Sequence, residues 1–277
     1  TVAPSETFTV AVMVDAGTQE VDAVQAYVEF DPTYLEVLTV TKGVMDEVVP
    51  PIVDNGAGRL DYYADLDGTT VSGTFTVAVI NFRSKGPEVD DTPLEFDTTA
   101  PAVVKVFLGT EQLDVETEPA YVTVRYPPVV IRFDPVTTTV SAGGTFTVDV
   151  MVDAGTQPVD YAQAFLDFDV DYLEVLSITP GYLPDVLLSV FSNISGTLGY
   201  AGGLPGEGDT VSGTFKLASV TFRAGVTPTL TLLPFATIFP RETRAQLLEE
   251  TLNSELVDGA VYVVSEPSNL TLTASAY

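Results

Sequence analysis

Acidic side chains are the groups in this chain whose type and spacing first suggest chemistry. The chain has 277 residues, with 39 Asp and Glu against 11 Lys and Arg and a formal net charge of -28. Asp65 and Asp67 supply the hard oxygen ligands that Ca²⁺ prefers. No segment matches the EF-hand loop pattern, and the second half of the chain has no counterpart of the pair. A calcium site at Asp65 and Asp67 and a solvated acidic surface are therefore both open, and no other cofactor is expected.

The chain lacks several residue types that enzymes commonly use for catalysis. The chain contains no His, no Cys and no Trp, which removes the imidazole base, the thiol nucleophile and the common transition-metal ligands. A serine nucleophile would need a lysine base, and no Ser-x-x-Lys pattern is present. Carboxylate pairs of the glycosidase type arise readily by chance among 39 acids. We predict no enzymatic activity, and the negative charge disfavours nucleic acid and anionic membranes as partners.

Two Asn-x-Ser/Thr sequons offer places for covalent sugar. They predict glycosylation at Asn193 and Asn269 if the host modifies exported proteins. Carbohydrate binding is a weaker interpretation, because Trp is absent and the Tyr and Phe residues alternate along apolar stretches, where most of them face a core.

The chain repeats itself once. Residues 7–38 align with residues 145–176 at a shift of 138, and 23 of these 32 positions are identical. The hexapeptide TVSGTF recurs at a shift of 140. A repeat of this length predicts two copies of one domain. We place the first domain at residues 1–126 and the second at 127–266, with a separate segment at 267–277.

Each copy reads as a set of β-strands. Stretches such as TFTVAVMVDAG and GTFTVAVINF alternate or run as Val, Phe and Thr, and Gly, Pro, Asn and Asp clusters separate them. The pattern predicts two tandem antiparallel jelly-roll or β-sandwich domains. The only helix-like stretch is Arg241 to Leu252, which places Ala245, Leu248 and Leu252 on one helical face, although its counterpart in the first copy reads as strand and turn.

The motifs resemble those of the cohesin family. The resemblance rests on FDPTYLEV, GRLDYYAD and GTFTVAVINFRS in the first copy, and on FDVDYLEV, NISGTLGYAGG and GTFKLASVTFRA in the second. It implies a nine-stranded jelly roll from a bacterial or archaeal surface protein that binds a dockerin through one sheet face. Transferred to this chain, that face would include Gln25 and Tyr27 in the first copy and Gln163 and Phe165 in the second.

The first copy begins one strand late. The second copy has a strand, VVIRFD at residues 129–134, for which the first copy has no counterpart. The segment SNLTLTAS near the end of the chain alternates in the same way, with Leu270 in register with Ile131 and Leu272 with Phe133. A sandwich that lacks a strand exposes an apolar groove and an unpaired sheet edge. We predict an acceptor groove at Phe8, Val10, Tyr121, Val122 and Val124, and a donor strand made of Asn269, Leu270, Thr271, Leu272, Thr273 and Ala274.

These observations predict a structural subunit of an extracellular, cell-surface filament. Identical subunits would join head to tail, because the donor and acceptor surfaces differ. The alternatives are a cohesin-type scaffold module that binds dockerin or other surface proteins, and a carbohydrate-binding adhesin. A fragment of a longer tandem array would give the same sequence.

Overall fold

The computed structural model of the chain describes residues 1–206 and 208–265, and these residues are all-β, with no helix. Accordingly, no described segment is a long apolar helix of the kind that crosses a membrane. The strands are rich in Val, Thr, Phe and Tyr, whose branched or aromatic side chains pack well on a pleated surface. The chain divides into two compact units, the first of which ends at Tyr126. The prediction of two antiparallel β-sandwiches is confirmed.

Unit 1 contains eleven strands in two sheets. One sheet has three strands in the order β1-β7-β3, and the other is built on β10-β9-β2-β6-β4, with β5 on β6 and the pair β8 and β11 beside β2. The strands are β1 (Thr7–Asp15), β2 (Ala23–Phe30), β3 (Leu35–Lys42), β4 (Asp46–Glu47), β5 (Ile52–Asp54), β6 (Arg59–Asp65), β7 (Thr74–Ser84), β8 (Val89–Phe96), β9 (Lys105–Leu108), β10 (Glu111–Leu113) and β11 (Ala120–Val124).

Unit 2 repeats this plan with additional strands. Its sheets have the orders β16-β19-β14-β12-β25, β17-β18-β15-β23-β24 and β13-β26-β20, with β21 paired to β22. The strands are β12 (Val129–Asp134), β13 (Thr137–Ser141), β14 (Thr145–Asp153), β15 (Tyr161–Asp167), β16 (Leu173–Pro180), β17 (Asp185–Ser192), β18 (Thr197–Gly203), β19 (Thr214–Ala224), β20 (Thr229–Leu233), β21 (Thr237–Ile238), β22 (Arg241–Glu242), β23 (Arg244–Leu247), β24 (Glu250–Thr251), β25 (Ser254–Val257) and β26 (Gly259–Val264).

Each unit has its own core between its sheets. Alternate residues of the strands point inward, and the largest fully buried side chains include Tyr62 and Phe82 in unit 1 and Tyr200 and Phe222 in unit 2. The aromatic contacts repeat as well. The ring of Phe8 stacks on that of Phe82 with centroids 5.6 Å apart, as Phe146 does on Phe222 at 5.4 Å.

The helix-like stretch from Arg241 to Leu252 is not a helix. It forms β22, β23 and β24, and β23 pairs with β15 while a tight turn joins it to β24. Leu248 and Glu249 in that turn have positive φ angles of 50° and 69°. The helical spacing of three apolar residues was therefore a coincidence, because cross-strand pairing with β15 buries Ala245 without any helix.

Candidate functional site

Unit 2 has a strand, β12, at a position where unit 1 has none among the described residues. This position, along the free edge of β1 in unit 1 and the matching edge of β14 in unit 2, is called the slot. In unit 2, β12 lies between β14, to which it pairs antiparallel, and β25, to which it pairs parallel. Val129, Ile131 and Phe133 point inward from β12 and are completely buried. The Phe133 ring stacks on Phe235 with centroids 4.5 Å apart and planes within 13°. The strand therefore completes both the sheet and the core of this unit.

In unit 1 the edge of β1 that corresponds to the β12 side of β14 has no partner among the described residues, since β1 pairs only with β7. A cavity of about 500 Å³ opens along this edge. Its apolar lining comes from both sheets and includes Val10, Val12, Val28, Ile80, Leu94 and Phe96. The bridges Val28 to Phe96 and Leu166 to Phe235 place Phe96 where unit 2 has Phe235. The surface that receives Phe133 in unit 2 is thus present but uncovered in unit 1.

The second wall of the slot also differs between the units. Residues 114–118 of unit 1 correspond to residues 254–258 of unit 2 at the shift of 140. In unit 2 this stretch contains β25, paired to β12, whereas in unit 1 it has no strand structure. Glu116, Thr117 and Glu118 line the cavity instead. In the described part of unit 2, β25 pairs only with β12. Because no described residue of unit 1 occupies the position of β12, residues 114–118 have no strand there to pair with.

The predicted acceptor groove lies too far toward Val124. Val10 lines the cavity as predicted. Val124, however, is completely buried and forms a parallel bridge with Val2, whose backbone N–H donates to Thr123 O at 2.9 Å. The chain's own first residues therefore occupy that end of the groove.

The other three predicted groove residues, Phe8, Tyr121 and Val122, are not among the residues that line the cavity. Phe8 stacks on Phe82, and Val122 is buried in the core. Tyr121 is 62% exposed on the opposite face of β11. Sequence reasoning missed Phe96 and residues 116–118, although alignment of the second copy's β25 region onto the first would have indicated the latter.

The rim of the cavity is acidic. Asp15, Glu95, Glu116 and Glu118 lie on it, and the cavity lining includes no Lys or Arg. Like charges at this density repel an acidic strand and admit a neutral or basic one. An uncharged strand would therefore meet less repulsion at this rim than an acidic one.

The predicted partner-binding face of unit 1 is formed by outward residues of β2 and β6. The Tyr27 and Tyr63 hydroxyls are 2.6 Å apart, and the Arg59 guanidinium lies 5.4 Å from the centre of the Tyr27 ring. Burial, and next the hydrogen bond to Tyr63, raise the pKa of Tyr27 to about 12, so its phenol is neutral at physiological pH. Beside this pair a depression of about 430 Å³ is lined by Gln25, Tyr63, Phe107 and their neighbours.

Between the units the exposure of these residues differs in both directions, since Tyr27 is only 9% exposed and its counterpart Phe165 is partly exposed, while Gln25 is partly exposed and its counterpart Gln163 is buried. Gln163 is only 8% exposed, because its amide donates to Glu242 O at 2.6 Å and accepts from the Tyr161 hydroxyl at 2.5 Å. The prediction that Gln163 faces a partner is wrong, since the β22 and β23 segment satisfies its side chain. Phe165 lies flat over Gly199, where a Cβ atom would come within 2.6 Å of its ring.

The predicted calcium ligands form a turn. The Asp65 carboxylate accepts the backbone N–H of Asp67 at 3.2 Å, and Asp67 has a positive φ of 46°. Within residues 1–206 and 208–265, no three acidic side chains gather as they would around a cation. The pair is accounted for by turn geometry, which Asp commonly stabilises in this way.

Asn193 has a structural role that conflicts with glycosylation. Its Oδ1 accepts the Val175 N–H at 2.9 Å and its Nδ2 donates to Val175 O at 3.0 Å, as Asn55 does to Val37 in unit 1. This two-bond pairing uses the amide hydrogen on the same side as Oδ1. A sugar would replace that hydrogen, because a substituted amide prefers the trans arrangement. The second predicted sequon, at Asn269, and the whole predicted donor strand lie outside the described residues.

Comparison with known proteins gives one consistent group of similar structures. No protein-family model and no curated protein matches the chain. The structural neighbours are cohesins. A type II cohesin dyad from the adaptor ScaA scaffoldin of Acetivibrio cellulolyticus covers 96% of this chain and 97% of its own, with 15% identity and a TM-score of 0.39.

Single cohesins match one half of the chain. A non-cellulosomal cohesin from the archaeon Archaeoglobus fulgidus covers 50% of this chain and 91% of its own, with 15% identity and a TM-score of 0.39. The third ScaC cohesin of Acetivibrio cellulolyticus, solved in complex with the ScaB dockerin, covers 50% and 99%, with 15% identity and a TM-score of 0.43. These TM-scores are below 0.5 and the identities are low, so the similarity assigns no function to this chain.

Proposed function

We propose that the chain is a non-catalytic structural subunit that assembles head to tail at the cell surface by strand addition. Unit 1 of one copy accepts a β-strand into the cavity beside β1, and a second copy supplies that strand from residues 269–274. The observation that carries the proposal is the filled slot of unit 2, in which β12 occupies the position that is open in unit 1. Donor and acceptor are different surfaces, so the contact repeats without closing unless the rotation forms a ring.

The donor sequence has the pattern that the groove requires. In unit 2, Ile131 pairs with Val152 and Phe133 with Val150, which correspond to Val14 and Val12 in unit 1. The register predicted from the sequence sets Leu270 opposite Val14 and Leu272 opposite Val12. Val10 and Val14 are partly exposed, whereas their counterparts Val148 and Val152 are at most 2% exposed. Each leucine that enters the slot contributes about 1.5–3 kcal/mol of apolar burial.

Side-chain size on the two sides of the contact is complementary. In unit 2, Gly259 lies against the Phe133 ring, and a Cβ atom there would approach the ring to 2.8 Å. The corresponding residue in unit 1 is Pro119, which is exposed. A bulky Phe in the slot would meet this proline. The smaller Leu272 at the Phe133 position leaves the space that Pro119 needs.

Charge favours the same occupant. Residues 268–277 include no Asp, Glu, Lys or Arg, in a chain whose net charge is -28. An uncharged strand enters the acidic rim without the repulsion that most other segments of this chain would meet. The assembly should therefore form at moderate salt and weaken little when salt is raised, because burial of apolar groups holds it together.

A disulfide test can fix the register, because the chain has no native cysteine. In unit 2, Arg132 pairs with Met151, and the corresponding pair at the proposed contact is Thr271 with Met13. The double variant Met13→Cys and Thr271→Cys should give a reducible ladder of covalent oligomers under mild oxidation, since cross-strand neighbours fall within disulfide distance. The matched control is Met151→Cys with Thr271→Cys, which should give no ladder because β12 already covers that edge.

Two outcomes would overturn the proposal. Polymers that survive deletion of residues 268–277 would exclude this segment as the donor. A Met13→Cys chain that stays monomeric while its new thiol is protected from thiol reagents would show that the groove is filled within one molecule, for example by residues that precede Thr1 in a longer chain.

A second candidate function is the docking of a dockerin-type partner on the outward face of unit 1. The observation that favours it is the depression lined by Gln25, Tyr63 and Phe107. Similar cohesin structures include complexes with a bound dockerin. Capture of a purified dockerin that is lost in Tyr63→Ala but kept in the groove variant Val12→Glu would support this function. No capture of any dockerin tested, together with a normal disulfide ladder, would exclude it.

A further inference from the structure

The two units differ in how the corresponding edge of one sheet is protected against pairing with another molecule. In unit 1 the edge beside β6 consists of the short strands β4 and β5, separated by Pro50 and Pro51. Proline and charge on an edge strand prevent pairing with another molecule. In unit 2 the corresponding edge is the continuous eight-residue strand β17, which has Leu188 and Ser189 at the positions of the two prolines. The protection present in one unit is therefore missing from the other.

Apart from Asp185 at its start, the edge of unit 2 is also uncharged. No Asp, Glu, Lys or Arg occurs among residues 186–206, while the corresponding part of unit 1 carries Asp54, Arg59, Asp61 and Asp65. Glycine or alanine takes the outward positions of β18 at Gly199, Ala201 and Gly203. Along β17 the exposed fractions are 44% for Val186, 64% for Leu187, 52% for Val190 and 43% for Phe191. Within the described part of the chain, β17 pairs only with β18.

We propose that β17 is a self-association edge and that its partner is β17 of a second copy, paired antiparallel across a two-fold axis. Two copies that each carry a charge of -28 repel one another over most of their surfaces. The uncharged strip along β17 is where such copies meet with the least repulsion. After Asp185, the exposed edge from Val186 to Ser192 carries no charge and no proline, and it has both the backbone groups and the side chains for this pairing.

The two-fold contact has a different geometry from strand donation. It presents the same surface from both copies and therefore closes as a dimer, whereas the donated strand gives an open chain. Acting together, the two contacts would join filaments side by side in pairs. Each contact uses its own residues, so either can be removed without the other.

Sedimentation velocity and electron microscopy of the full chain test the proposal. The parent chain should show dimers at micromolar concentration, or filaments joined in pairs where head-to-tail assembly occurs. Val190→Glu and Leu187→Glu each place like charges across the two-fold axis at exposed positions, and each should lower the association constant at least about tenfold. The controls Ile194→Glu and Val226→Glu make the same charge change at residues that are 94% and 82% exposed, and each should lower it less than about twofold.

The outcomes separate the two assembly proposals. Single filaments in Val190→Glu, with the disulfide ladder intact, support both. Dimers that are lost in Val190→Glu but form without any ladder support the β17 contact alone. A parent chain with neither dimers nor paired filaments, or a loss of association as large in Ile194→Glu as in Val190→Glu, overturns the β17 contact.

Discussion

Unit 1 and unit 2 share a block of 32 residues with 23 identities, yet they end as an open and a closed sandwich. The sheet that contains β1 has three strands, and the sheet that contains β14 has five. The two additional strands are β12 and the segment that pairs with it, β25. Among the described residues, the sheet of unit 1 thus has no counterpart of either strand.

The difference shows that most of the slot is formed in unit 1 without a strand in it. In unit 1 the apolar floor, including Val12, Ile80 and Phe96, is already arranged around the cavity. At one wall of the slot, residues 114–118 have not taken the strand form that their counterparts have in unit 2. An arriving strand would therefore find a preformed floor and would order one wall, so most of the binding free energy is available for affinity.

The largest loss of stability is expected when the aromatic side chain that fills the slot of unit 2 is removed. Phe133→Ala removes a completely buried ring that stacks on Phe235, and it should destabilise unit 2 by about 3–5 kcal/mol in urea unfolding. The control Phe239→Ala removes an 82% exposed ring and should cost less than about 1 kcal/mol. Equal losses for the two variants would show that β12 is not essential to the unit.

The next test compares matching valines in the two slots. Val148 is 2% exposed, and Val10 at the same position of unit 1 is partly exposed. In unassembled chains, Val148→Ala should cost about 2 kcal/mol and Val10→Ala less than about 1 kcal/mol. Under conditions that favour assembly, the cost of Val10→Ala should rise toward that of Val148→Ala. A cost that does not depend on chain concentration would argue against an occupant from another molecule.

Asn55→Ala and Asn193→Ala remove matching side chains and should lower the stability of the two units to a similar extent. Each variant leaves the N–H and C=O of one valine without their two partners, at a cost of about 1–3 kcal/mol. Differential scanning calorimetry should show similar drops for the two units. A much smaller drop at Asn55 would mean that the open sandwich is loosened well beyond its slot.

The smallest effect is expected at the matching surface ion pairs, Arg83 with Glu36 and Arg223 with Glu174. All four side chains are at least partly exposed, so Arg83→Ala and Arg223→Ala should each cost no more than about 1 kcal/mol. Chemical denaturation at low and high salt would measure this. A large loss at Arg83 alone would reveal a dependence on that pair that unit 2 does not share.

Sequence reasoning reached the architecture but not the detailed position of the groove. The alternation of apolar residues predicted the strands, and the repeat indicated which strand unit 1 lacks. The prediction of Val124 as groove was wrong because Val2 bridges to it across more than a hundred residues of chain. The prediction of an available Gln163 was wrong because Glu242, also distant in sequence, satisfies its amide. Contacts of this kind leave no local pattern.

The sequence alone indicates the strand content of two related sandwiches, the strand of the second that has no counterpart among residues 1–126, and the charge that the surface carries. These depend on periodicity, on internal alignment and on composition, all of which can be read along the chain. The tertiary structure alone determines which groups remain accessible to solvent or to a partner. It left a cavity beside β1 and an exposed, largely apolar edge at β17, because accessibility depends on which distant segments pack against a residue and which do not.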